Sequence, residues 1–139
     1  MKIQLDHINI LVEDYAKTVD FYHQLLGFVE GKHIPGGQEN YLYTADRAHA
    51  VIHLSTLEGK ARRLANPETP FQTQATPVSQ NQNTGALDHV DLLVSTADFE
   101  SIVNKLDFSN MPYRISKNES PQLWFFDPNG VKLEITAAT

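Results

Sequence analysis

Leu5-Asp6-His7-Ile8-Asn9-Ile10-Leu11-Val12 is answered 82 residues later by Leu87-Asp88-His89-Val90-Asp91-Leu92-Leu93-Val94, with five of the eight positions identical. Two further correspondences follow in the same order. Leu26-Gly27-Phe28 matches Leu106-Asp107-Phe108 at an offset of 80, and Val51-Ile52-His53-Leu54-Ser55 matches Lys132-Leu133-Glu134-Ile135-Thr136 more loosely at 81. One short match can arise by chance. Three in one order at nearly one offset mark an internal duplication. The chain therefore reads as two equivalent modules, residues 1–57 and 86–139, joined by a polar connection over 58–85.

Each module reads as a strand, a helix and then several strands. Residues 5–12 have the apolar density of a buried strand, with Ile8, Ile10 and Val12 on one face and His7, Asn9 and Leu11 on the other. Asp14 is placed to cap a helix in which Ala16, Val19, Tyr22 and Leu26 recur at spacings of three and four, and Gly27 stands where such a helix should end. Phe99, Ile102, Val103 and Leu106 repeat that spacing in the second module. Strands are expected over 40–45, 48–55, 113–116, 122–126 and 131–136. Asp127-Pro128-Asn129-Gly130 is a turn sequence that should join the last two as a hairpin. The connection is open to two readings. It is either a flexible link or a loop closing over a site, with Arg62 and Arg63 as its anion contacts.

Composition narrows the function classes. The 139 residues carry 11 Lys and Arg against 17 Asp and Glu, a net charge of −6, which disfavours a nucleic-acid partner. No apolar run reaches the length of a membrane span, and the N-terminal residues lack the apolar core of a signal peptide, so a cytoplasmic protein is expected. There is no cysteine, so thiolate metal sites, disulfides and cysteine nucleophiles are excluded together.

The chemistry lies in polar residues that break apolar strands. His7 and His89 occupy one repeat position; His53 and Glu134 occupy another. In the last strand Val131, Leu133 and Ile135 form one face, which leaves Lys132, Glu134 and Thr136 on the other. If both sheets curl alike, His7, His53, His89 and Glu134 point into one concavity. Imidazoles and a carboxylate are ligands for Zn, Fe(II), Ni, Mn or Co, and two His with one carboxylate form the facial set of non-haem Fe(II) oxygenases. An unpaired buried Glu134 would be costly, which favours a cation beside it. Among the other histidines, His23 is expected to be solvated, His33 to lie in a loop, and His49 to share a strand face with His53. Trp124 and Phe126 share a face and either pack in the core or stack on a planar substrate.

These residues together resemble the vicinal oxygen chelate superfamily, which includes glyoxalase I, extradiol ring-cleaving dioxygenases and the bleomycin and fosfomycin resistance proteins. The resemblance is carried by Leu5-Asp6-His7-Ile8, Phe21-Tyr22, Leu25-Leu26-Gly27-Phe28, Ile52-His53-Leu54, Leu87-Asp88-His89-Val90, Phe125-Phe126-Asp127-Pro128-Asn129-Gly130 and Leu133-Glu134-Ile135. It implies an α+β fold of paired βαβββ modules whose mixed sheets form a cup around a divalent metal. It also implies a homodimer acting on a small-molecule substrate. His7, His89 and Glu134 match the ligands of the extradiol enzymes, which makes Fe(II) or Mn(II) the favoured metal, with Zn(II) or Ni(II) possible. In glyoxalase I the position of His53 is a glutamate ligand; in the extradiol enzymes an acid–base histidine sits near it. His53 is therefore either a fourth ligand or an acid–base residue, and His53 and Glu134 are the expected catalytic pair. Leu11 and Leu57 depart from the glyoxalase I pattern, and Trp124 stands where extradiol enzymes carry tyrosine. The expected function is a metal-dependent enzyme of ring-cleaving dioxygenase type. The alternatives are a glyoxalase-like lyase or isomerase, and a small-molecule-binding resistance protein without catalysis.

Overall fold

The computed structural model describes residues 1, 5–33, 39–59, 89–116 and 121–138. Arg62, Arg63 and nearly all of the 58–85 connection lie outside the described residues, as do Leu87 and Asp88.

In the first half β1 (Ile8–Val12) leads into α1 (Tyr15–Leu26), then β2 (Val29–Gly31), β3 (Tyr41–Tyr43) and β4 (Ala50–Thr56). The second half repeats the series with β5 (Val90–Val94), α2 (Thr96–Phe108), β6 (Arg114–Ser116), β7 (Gln122–Phe126) and β8 (Lys132–Ala137). Each half builds a four-stranded mixed sheet, in the orders β1-β4-β3-β2 and β5-β8-β7-β6. In both sheets the first and last strands pair in parallel and the remaining neighbours antiparallel. The fold is α+β, and the two βαβββ halves share one topology, as a duplication requires.

The register makes the equivalence specific. Asn9 pairs with His53, and Asp91 pairs with Glu134. His7 and His89 each precede those partners by two residues, just ahead of their strands. On the next strand Tyr41 lies opposite His53 and Trp124 opposite Glu134. Paired residues put their side chains on one face of a sheet, so each half presents an aromatic ring beside the polar residue of its last strand.

Local signals explain the element boundaries. Asp14 Oδ1 accepts from the Lys17 amide at 3.0 Å, the cap expected for α1. Gly27 ends that helix with φ of 70°, a conformation glycine adopts without steric cost. Ser95 caps α2 by accepting from the Asp98 amide. Gly130 has φ of 81° in the turn between β7 and β8, and its amide donates to the Asp127 carbonyl at 3.1 Å. The buried stripe of α1 is Thr18, Tyr22 and Leu25 rather than one running through Ala16, which is exposed. Thr18 tolerates burial because its hydroxyl donates to the Asp14 carbonyl at 2.8 Å, so its polar atom is satisfied within the helix.

By internal contacts the chain divides into two compact units. One takes Met1–Val19 and the described residues from Phe28 to Gly59; the other takes Asp20–Gly27 and the described residues from His89 onward. The core of the first includes Ile10, Val12, Leu42, Ile52 and Leu54, and that of the second Leu106, Leu123, Phe125, Leu133 and Ile135. The last turns of α1 belong to the second unit, where the buried Tyr22 hydroxyl donates to Asp127 Oδ2 at 2.9 Å. The other oxygen of Asp127 accepts from the amides of Asn129 and Val131, both at 2.8 Å. One carboxylate thus closes the β7–β8 turn and anchors the helix. Burial and the neighbouring carboxylate push the Tyr22 phenol well above its ordinary pKa, which keeps it a donor. Tyr22→Phe is expected to lower stability by about 1–3 kcal/mol, read as a drop in the urea midpoint at unchanged slope. An unchanged midpoint would show that the pair contributes nothing.

Candidate functional site

His7 and His53 lie in the first unit, with ring centroids 5.8 Å apart and the rings nearly perpendicular. His89 and Glu134 lie in the second, with His89 Nε2 2.9 Å from Glu134 Oε2. The structure thus brings the four candidate residues together as two pairs, one in each unit.

Glu134 is 7% exposed, the most demanding group in its sheet. Besides His89 it is held by Gln122, whose Nε2 donates to Oε1 at 2.7 Å. Gln122 projects from β7 and His89 from the residue before β5, the two strands that flank β8. Both carboxylate oxygens therefore have a donor or cation from the sheet itself, which offsets the cost of burial.

His53 sits at the equivalent register but is solvated by amides instead. Asn9 Nδ2 lies 2.8 Å from its Nδ1, and Asn40 Nδ2 lies 3.0 Å from its Nε2. The ring also stacks on Tyr41, at 4.3 Å and an interplanar angle of 1°. An imidazole with hydrogen-bond partners on both nitrogens must release one of them before it can bind a cation. Ser55, two residues on in the same strand, has a buried hydroxyl with no hydrogen-bond partner among the described residues.

His7 is in contact with Asp6, His33 and Tyr41. Its Nδ1 lies 2.5 Å from Asp6 Oδ2, and its ring meets Tyr41 edge-on at 5.0 Å. His33 Nε2 lies 3.4 Å from the same Asp6 oxygen. The hydrogen bond from His7, before any other influence, draws the Asp6 pKa below the usual carboxylate value. Burial, followed by the charge of Asp6, pushes the Tyr41 phenol upward.

In the second unit Trp124, Phe126, Tyr113, Arg114 and Lys132 border a groove of about 650 Å³. Arg114 on β6 lies opposite Trp124, and Lys132 on β8 lies opposite Phe126, so each aromatic ring of β7 in this groove has a cation across from it in the sheet. Phe126 is 59% exposed and Trp124 is half-buried, so neither is fully withdrawn into the core. His23 and His49 are both exposed.

Sequence reasoning missed Asn9, Asn40, Gln122 and Tyr41 as partners of the candidate site. Amides and a tyrosine in or beside strands carry no spacing signature. The available signal was positional: Asn9 follows His7 by two residues and so shares its face.

The chain belongs to the Glyoxalase/Bleomycin resistance protein/Dioxygenase superfamily, whose pattern it matches over residues 4–135. It is 26% identical over 132 residues to the glutathione transferase FosA of Serratia marcescens, covering 94% of this chain and 78% of that protein. Among solved structures it resembles oxidase ChaP-H2, with a TM-score of 0.63 and 18% identity over 100% of this chain and 96% of that one. It also resembles a mutant of the Listeria monocytogenes fosfomycin resistance protein FosX, complexed with Mn(II) and 1S,2S-dihydroxypropylphosphonic acid. There the TM-score is 0.60 and the identity 14%, over 100% of this chain and 93% of that one.

The donors present fit a divalent cation. A buried carboxylate and a histidine already in contact form one half of a nitrogen–oxygen ligand set, and no thiolate is available because the chain has no cysteine. The chain has a single tryptophan, and it lies opposite Glu134 in the sheet. A paramagnetic cation held by Glu134 is therefore expected to quench Trp124 emission on addition of Co(II), and Glu134→Gln to abolish the quench. Emission that falls equally in the variant would place the cation elsewhere.

Proposed function

We propose that the protein is a divalent-metal-dependent enzyme acting on a small substrate that offers two adjacent oxygens, with ring-cleaving dioxygenase-type chemistry as its reaction. His7, His89 and Glu134 are the proposed metal ligands, and Fe(II) or Mn(II) the proposed metal, ahead of Zn(II) or Ni(II). The metal supplies Lewis acidity toward the chelated oxygens. The observation that carries the reading is the buried Glu134 carboxylate in contact with His89, held on its other oxygen by Gln122. A buried anion with oriented neighbours is what a cation site needs and what a plain structural strand avoids.

His53 is the proposed acid–base residue rather than a fourth ligand. Its two nitrogens are engaged by Asn9 and Asn40, which hold the ring in one orientation; one of these contacts opens toward substrate before that nitrogen takes or gives a proton, because an amide cannot relay one. Tyr41 stacks on one face and fixes the plane. Trp124 and Phe126 supply aromatic surface on which a planar substrate can lie. In this reading the protein works as a cytoplasmic homodimer. Among the described residues no helix is long and apolar enough to cross a membrane.

A second reading is addition of a thiol to a small phosphonate, and the 26% identity to FosA over 94% of this chain favours it. The two readings share the metal and differ in co-substrate. Protein stripped with a chelator and reloaded with Fe(II), Mn(II), Zn(II) or Ni(II) is expected to retain about one cation per chain. It should consume dioxygen with a catechol when Fe(II) or Mn(II) is present. Loss of fosfomycin that depends on glutathione, without dioxygen uptake, would transfer the assignment to the second reading. Failure to retain any of the four metals would overturn both.

Two substitutions separate the proposed roles. Glu134→Gln keeps the shape but removes the charged ligand, and should weaken metal binding by more than the roughly 10–100-fold typical of losing an outer partner. His53→Ala should keep the metal and lose turnover by roughly 10²–10⁴-fold. Loss of metal in His53→Ala would make His53 a ligand, and full activity with full metal would remove both roles.

A further inference from the structure

We propose that Asp6, His7 and His33 form a second position for a divalent first-row cation, built within the first unit and differing from the ligand set proposed above in two of its three donors. The two positions share His7. The other donors, Asp6 and His33, have no part in the proposed reaction, and His33 has no counterpart in the repeat.

The chemistry of the three groups is specific. Two imidazole nitrogens and one carboxylate oxygen suit Zn(II), Co(II), Fe(II) or Mn(II). The donor atoms of all three residues lie within 4.8 Å of one another. Around a tetrahedral cation with ligand bonds of about 2.0–2.2 Å, neighbouring donors stand about 3.4 Å apart. His33 Nε2 and Asp6 Oδ2 already have that spacing, at 3.4 Å. His7 Nδ1 and Asp6 Oδ2 are closer, at 2.5 Å, as a shared proton requires. Replacing that proton by a cation needs an opening of about an ångström, a movement a single side-chain torsion supplies, and it releases the proton as metal binding at histidine commonly does.

The imidazoles are also held in place before any cation arrives. His33 stacks on Tyr41 at 4.7 Å and 19°, while His7 meets the same ring edge-on at 5.0 Å and 83°. Tyr41 therefore orients both donors and lowers the ordering cost of binding. Access is open. The three residues line a groove of about 610 Å³ whose wall also includes His49 and Tyr43. The Asp6 side chain is 65% exposed and that of His33 33%, so a hydrated cation can exchange its waters for these ligands stepwise. Because His7 serves both positions, the first-unit position is suited to capture a cation and to compete for it with the other set.

Cobalt(II) titration followed by its ligand-field absorption tests this in the full chain. In a His89→Ala/Glu134→Gln variant the second-unit donors are gone, and one Co(II) per chain is still expected to bind. Adding His33→Ala or Asp6→Asn to that variant should abolish the uptake, with far-UV circular dichroism unchanged. In unmodified protein, Zn(II) should shift the imidazole proton resonances of His33, a measurement that needs no substitution. The proposal is overturned if the double variant binds no Co(II), if uptake survives His33→Ala, or if Zn(II) leaves the His33 resonances unmoved. The first of these outcomes would leave the ligand set of the proposed function intact. Full affinity in the double variant, lost with His33→Ala, would instead support this position and remove His89 and Glu134 from that set.

Discussion

Burial of the Glu134 carboxylate constrains the second unit more than any other interaction. An ionised group withdrawn from water loses several kcal/mol of solvation, and the protein must return it through short, well-directed contacts. At Glu134 the contacts come from Gln122 at 2.7 Å and from His89 at 2.9 Å. The first belongs to an antiparallel neighbour and the second to the start of a parallel one. β8 can receive both only from the middle of the sheet, between β5 and β7, which is where the order β5-β8-β7-β6 puts it. The parallel pairing of the first and last strands is thus more than a consequence of duplication. It delivers the residue ahead of β5 to the residue at the centre of β8.

The first unit uses the same frame for a different group. His53 occupies the register of Glu134, and two asparagines take the place of the histidine and the glutamine. A carboxylate needs donors, whereas a neutral imidazole needs one donor and one acceptor, and an asparagine side chain can turn to offer either. Asn9 and Asn40 therefore satisfy His53 in either tautomer. The duplicated scaffold carries a buried carboxylate in one half and an imidazole in the other, a difference that two identical halves could not provide.

Much of this architecture was legible from short-range physics. The Asp14 cap, the glycine that ends α1, the Asp127–Gly130 turn and the β7 limits all follow from side chains acting on their own backbone, and the structure agrees at each. Period-two alternation correctly put Leu133 and Ile135 in the core and Glu134 on the opposite face, although it did not reveal that Glu134 would be buried as well. Where tertiary contacts decide, the pattern misled or was silent. Ala16 is apolar and fits the helical spacing, yet it is exposed and Thr18 is buried instead, because the Thr18 hydroxyl bonds within the helix. The short strand β2 has too few residues to display a period. His33 read as an ordinary loop residue, since its proximity to Asp6 depends on the chain returning across more than twenty residues and cannot be read from spacing.

Aromatic rings opposite His53 and Glu134 complete the comparison of the halves. Tyr41 and Trp124 hold matching positions in the sheets. The Tyr41 phenol is pushed above its ordinary pKa, first by desolvation and then by Asp6, so it stays protonated at neutral pH, and Trp124 has no proton to lose. Both rings are neutral surfaces, which bear on their neighbours through packing and orientation rather than charge. Tyr41 fixes the planes of His53 and His33 and the edge contact of His7, three imidazoles ordered by one ring. His53 meets the Asn9 and Asn40 amides and His7 the Asp6 carboxylate, while His33 approaches that same carboxylate at 3.4 Å.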